Sequence, residues 1–124
     1  MSILNLAQHL ETAGLGTRGQ TIFIGEGPPE KKVAVILRDF GGAIDFELTG
    51  VRRLSVQIAV RDTDYAAGKT KAEAVNSALS IRHTAIGAAY FYEVVPRHEP
   101  IAFGREEMAF YTFVLNIDAV WRAN

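Results

Sequence analysis

The sequence predicts an α+β fold: a single domain over residues 1–124, with a mixed or antiparallel β-sheet of about four to five strands and two main helices packed on it. Three observations lead there. A chain of 124 residues and 13.6 kDa has room for one core and little more. Two stretches, Leu54 to Arg61 and Tyr111 to Ile117, alternate apolar and polar residues with the period of a strand. Two others, around Leu6 and around Val75, repeat apolar residues at helical spacing.

The elements follow in order. Ile3, Leu6, Ala7 and Leu10 share one helical face, Ser2 is placed to cap it, and the helix stops near Gly14. Thr21 to Ile24 reads as a short strand, broken by Gly25, Gly27, Pro28 and Pro29 into a rigid loop or sheet edge. Val33 to Leu37 is a second strand, and Ile44 to Leu48 pairs behind the turn-like Gly41-Gly42 as a hairpin. In the strand Leu54 to Arg61, Leu54, Val56, Ile58 and Val60 face one way and Ser55, Gln57, Ala59 and Arg61 the other. Asp62-Thr63-Asp64 caps a second helix, whose stripe Ala72, Val75, Leu79 and Ile86 carries it to about His83–Gly87. Tyr90 to Val95 is a strand closed by Pro96. Met108 to Trp121 is the last strand, with Tyr111, Phe113, Leu115 and Ile117 on one face and Phe110, Thr112, Val114 and Asn116 on the other.

Composition removes several functions. Thirteen Lys and Arg against fourteen Asp and Glu leave a net charge of −1, without the basic excess of a dedicated nucleic-acid binder. The absence of cysteine excludes disulfides, thiolate zinc sites and a cysteine nucleophile. No run of residues matches a membrane span, and the N-terminus reads as an amphipathic helix rather than a signal peptide, so a soluble chain folded in the cytoplasm is expected.

The chemical motifs are decoys. Gly14-Leu15-Gly16-Thr17-Arg18-Gly19 spells G-x-G-x-x-G, but a helix precedes it and a strand follows, so no helix N-terminus faces a phosphate. Gly68-Lys69-Thr70 resembles the end of a phosphate-binding loop, yet the required earlier glycine is Thr63. Lys69, Lys71 and Glu73 read instead as a solvated helix face. His9, His83 and His98 lie on three separate elements without ligand spacing. Glu106-Glu107 point to opposite faces of an extended chain, and Ser77 and Ser80 lack a nucleophile elbow. No catalytic, cofactor or metal residues are expected, and the reading is of a non-enzyme. Nine of the thirteen basic residues are arginine, the residue suited to bidentate pairing across interfaces, although ordinary surface ion pairs would use it equally.

In order along the chain, the N-terminal helix leading to Gly14-Leu15-Gly16-Thr17 and Ile22-Phe23, the Pro28-Pro29 loop, Val33 to Leu37 with Gly41-Gly42, and Val56-Gln57-Ile58-Ala59-Val60-Arg61 with Asp64-Tyr65 and the alanine-rich helix resemble the tail terminator (tail completion) proteins of long-tailed bacteriophages, a group also called phage minor capsid proteins. Ile101, Gly104-Arg105 and the aromatic strand Tyr111 to Trp121 extend the resemblance over nearly the whole chain. The resemblance implies a structural virion protein without catalytic residues or cofactor. It would form a hexameric ring on the finished tail tube at the head–tail junction, stop polymerisation and offer a surface to the head connector. Partners would be copies of itself, the tail-tube protein and the head-connector protein. DNA would pass through the ring without sequence-specific recognition, and no membrane is involved. A head–tail joining role would look much the same, and a small-molecule or peptide-binding domain of a larger assembly is the competing class. The ring interface is expected at sheet edges and at the loops holding Arg52, Arg53, Arg105 and Glu106, because a head-to-tail contact uses two different patches.

Overall fold

A computed structural model describes residues 2–28, 31–39, 50–103 and 110–123. Helix α1 (Ser2–Thr12) is followed by β1 (Ile22–Ile24), β2 (Ala34–Asp39), β3 (Arg52–Asp62), α2 (Tyr65–Ala78), β4 (Ile81–Ile86), β5 (Ala89–Pro96), β6 (Ile101–Phe103) and β7 (Tyr111–Ala123). The strands form one mixed sheet in the order β1-β2-β3-β7-β5-β4, and β6 pairs with β7. Only β1 and β2 are parallel; every other pairing among the described strands is antiparallel. The class is α+β as expected, but the described residues hold seven strands rather than four to five.

Both helices cover the same face. Ile3, Leu6, Ala7 and Leu10 of α1 and Ala72, Val75 and Leu79 of α2 join one core with Leu54, Val56, Ile58 and Val60 of β3 and Phe113, Leu115, Ile117 and Ala119 of β7. This is the alternation read from the sequence, realised in two long neighbouring strands paired from Arg52↔Trp121 to Asp62↔Tyr111. Asp64 caps α2, its Oδ2 accepting from the Ala67 amide at 2.9 Å, so that one of the orphan donors of the first turn is satisfied. Gly68 explains how closely α2 sits: a Cβ there would lie 2.6 Å from Cε2 of Phe113 and 3.0 Å from Cβ of Asp62.

Two elements depart from expectation. Helix α2 ends at Ala78, with Leu79 as its C-cap, and residues 81–86 form β4 instead of a continuation of the helix. Ile81 and Ile86 are buried at the two ends of β4 and the four residues between them are exposed, because β4 is an outer strand that pairs, among the described strands, with β5 alone. His83 thus sits in a strand, with φ of 47°, and not at a helix end. The second departure is β6. It lies on the same side of β7 as β5 and runs in the same direction, Pro96 facing Ile117 and Ile101 facing Val114. The two follow one line along β7, interrupted at Arg97–Pro100, but β5 is flanked by β4 on its other side and β6 is not.

The opposite sheet face also holds buried side chains. Ala34 and Ile36 of β2 are buried there, with Gly27 in contact with Ile36. The expected strand Ile44 to Leu48, the Gly41-Gly42 turn and Pro29 lie outside the described residues, as do Met108 and the Ser2 side chain.

Candidate assembly surfaces

The arginines divide between internal supports and open surface. Arg61, on the face away from the helices, donates from one guanidinium nitrogen to the carbonyls of Pro28 (3.1 Å) and Lys31 (3.3 Å) and stacks over Phe110 at 4.9 Å. Burial, with a smaller push from Arg38, lowers its pKa from the usual arginine value. Arg38 donates to the Gly25 carbonyl at 2.7 Å. Together they fasten the loop between β1 and β2 onto the sheet. Arg97 pairs with Asp118 (3.4 Å), which also accepts from Ser55 (2.8 Å), and Arg82 pairs with Glu93 (3.8 Å). Arg122 lies 4.9 Å over the Tyr90 ring. Much of the arginine excess therefore serves the fold.

The histidines are structural as well. Nε2 of His9 donates to the Ala78 carbonyl at 3.0 Å and ties α1 to the end of α2. His98 sits in the break between β5 and β6. Its Nδ1 donates to the Glu99 carbonyl (2.6 Å), which leaves Nε2 to accept from the Asn116 amide (2.9 Å), while the Asn76 amide donates to the His98 carbonyl (3.2 Å). His83 packs edge-on to Tyr92. Among the described residues no three His, Asp or Glu gather to hold a metal.

The phosphate-like motifs are closed. The amides of Gly14 and Leu15 donate to carbonyls of α1, that of Gly19 to the Ile22 carbonyl of β1, that of Gln20 to the Thr17 carbonyl, that of Thr17 to Thr21 Oγ1, and that of Arg18 to the Glu11 carboxylate at 2.8 Å. A Cβ on Gly16 would lie 2.7 Å from Thr21 Oγ1, so this glycine permits the loop to close on β1. Gly68 is spent on the approach to Phe113. Lys69 and Glu73 are exposed as expected, whereas Lys71 reaches the buried Asp62 at 3.9 Å.

What remains open is the rim of the sheet. Among the described residues, β4 presents an unpaired outer edge bearing Arg82, His83 and Thr84. β6 presents another, with Ile101 50% and Phe103 54% exposed, a degree unusual for such side chains. Beside β6, a groove of about 540 Å³ runs along α2, lined by Tyr65, Lys69, Glu73 and Ser77, with Glu99 and Pro100 at its end. Arg52 and Arg53 are exposed at the start of β3, beside the end of β7. Arg105 and Glu106 lie outside the described residues; their described neighbours in sequence, Phe103 and Phe110, stand at the other end of β7. The free edge of β6 carried no sequence signal of its own, since three exposed residues show no period.

Among the described residues, β4 and β6 each have a strand neighbour on one side only. A family model described as bacteriophage tail terminator protein matches residues 9–121. The chain belongs to this tail terminator family. The match runs from within α1 to Trp121 in β7 and so reaches every described strand. A solved chain titled as part of the virion of a native gene transfer agent particle has the same fold as this chain, with a TM-score of 0.66 and 19% identity, over 95% of this chain and 92% of that one. No curated protein matches the sequence. Family membership makes this chain a structural virion protein of a phage tail. No helix among its described residues is long and apolar enough to cross a membrane.

Proposed function

We propose that the chain caps the tail tube of a long-tailed phage or phage-like particle as an oligomeric ring, ends tube polymerisation and offers the surface to which the head attaches. The observation that carries this reading is the match of the tail-terminator family model across residues 9–121. The edges of β4 and β6, unpaired among the described residues, support it, because a ring built from identical copies needs two different patches on each. The ring contact uses sheet edges together with Arg52, Arg53, Arg105 and Glu106, which flank opposite ends of β3 and β7 in sequence. Its partners are copies of itself, the tail-tube protein and the head connector, and its action requires no catalytic group.

The test is removal of the gene from the producing cell. Tubes of uncontrolled length without heads are expected in electron micrographs, and restored particles on complementation. Tails of normal length joined to heads in its absence would overturn the reading. In the purified protein, Arg53→Glu with Arg105→Glu is expected to shift the oligomer distribution in light scattering, and an unchanged distribution removes those two residues from the contact.

A further inference from the structure

The arginines are sorted by face. In β3 and β7, side chains that meet the helices alternate with side chains that do not, which puts Arg53, Arg61 and Arg122 on the face away from the helices. The register adds Arg38, opposite Gln57, and Arg82, opposite Glu93, and Arg97 joins them through Asp118. Six of the nine arginines thus share one face, where Glu93 and Asp118 are the only carboxylates among the described strand residues. The loop that Arg61 holds there adds, among its described residues, Lys31 and Lys32 against Glu26. Glu11, Asp62, Asp64, Glu73 and Glu99 lie on the helix side. A net charge of −1 hides this division.

The internal bonds leave most of this charge standing. Arg38 donates to the Gly25 carbonyl, Arg61 to those of Pro28 and Lys31, and Arg122 to that of Ala123 at 3.3 Å; a carbonyl accepts a hydrogen bond but brings no negative charge. In the ion pairs with Glu93 and Asp118, the side chains of Arg82 and Arg97 are 76% and 57% exposed, so water screens both pairs and either guanidinium can turn to a phosphate. The field spans five strands, about 19 Å across, and the stretch of β3 from Arg53 to Arg61, about 26 Å along. Its middle is polar. Ser55, Gln57, Thr112 and Asn116 stand between the arginines, and the large side chains lie at the corners, Phe103 at one and Tyr90 with Tyr92 at another. A protein partner is held by aromatic or aliphatic anchors near the centre of the contact, whereas a polar, positively charged surface suits a phosphate backbone.

We propose that the sheet face away from the helices binds the sugar-phosphate backbone of duplex DNA without regard to sequence. Both helices cover the other side, so among the described residues no helix stands out from this face to enter a groove, and the contacts fall on phosphates rather than base edges. A duplex carries one charge per about 1.7 Å of axis, so about 15 phosphates pass along the 26 Å of the arginine field. Arg38 and Arg61 are committed to the loop; Arg53, Arg82, Arg97 and Arg122 are the four that reach phosphates. A ring joined through sheet edges leaves this face uncovered, and a single copy presents it equally, so the proposal stands apart from the ring reading.

The test is titration of a labelled, random-sequence duplex of about 30 base pairs with the purified chain, read by fluorescence anisotropy over a salt series. Four phosphate contacts give a slope of about −3.6 in log K against log salt, a loss on the order of 100-fold between about 50 and 200 mM. Arg82→Gln with Arg122→Gln is expected to reduce that slope by about two. Arg18→Gln with Lys69→Gln removes the same charge from outside this face and is expected to leave the slope unchanged. Melting temperatures separate these results from misfolding, and Arg82→Gln with Arg97→Gln gives the same reduction if losing the Arg122 contact with Tyr90 destabilises the fold. No binding by the native chain at about 50 mM salt, or an equal loss in both kinds of double variant, overturns the proposal. Poly-glutamate that displaces the duplex at equal charge concentration also overturns it and assigns the face to an acidic protein.

Discussion

Replacing Gly68 by alanine sets two effects of known sign against each other. In an isolated helix the exchange stabilises by about 1 kcal/mol, because glycine loses more backbone freedom on folding. Here the new Cβ would stand 2.6 Å from Cε2 of Phe113, about 1 Å inside ordinary carbon contact. Neither neighbour can withdraw. Phe113 is 1% exposed with Tyr65 packed against its ring at 5.3 Å, and Asp62, 3.0 Å away, is fixed by the Asp64 amide at 2.9 Å. Helix α2 must therefore lift, and overpacking of this kind costs about 1–3 kcal/mol. The steric cost exceeds the helical gain, leaving a net loss of about 1 kcal/mol, and about 2 at the upper end. At about 2.1 cal/mol/K per residue of unfolding entropy, a chain of this length loses about 4 °C in melting temperature per kcal/mol. Thermal and urea denaturation of Gly68→Ala, beside Thr70→Ala on the exposed side of the same helix, measure it. A Gly68→Ala protein as stable as the native chain would show that α2 does not sit at this distance, and the groove it walls would go with it.

Asp64→Ala removes the α2 cap and is expected to cost about 1 kcal/mol in urea denaturation, with Asp64→Asn recovering most of it. Arg61→Met keeps an apolar stem over Phe110 but deletes the bonds to the Pro28 and Lys31 carbonyls; about 1.4 kcal/mol of local stability is lost, and trypsin is expected to cut after Lys31 or Lys32 about tenfold faster.

The readable parts of the fold were those whose burial follows one period. In β3 and β7 every second side chain meets the helices, so Leu54 to Val60 and Phe113 to Ile117 announce a strand and its inner face together. Helix α1 and the Asp64 cap were legible for the same reason: a local pattern and the local structure coincide. Strand β4 was not, because its buried residues are five apart, Ile81 and Ile86, and fit neither period. Ile86 continued the spacing from Val75 and Leu79, and only the docking of residues 81–86 on β5 overrides that apparent helix. β6 depends wholly on β7 for its existence. The arginine excess was visible, but its division between loop fastening by Arg61 and Arg38 and open surface at Arg52 depends on where strands distant in sequence come together.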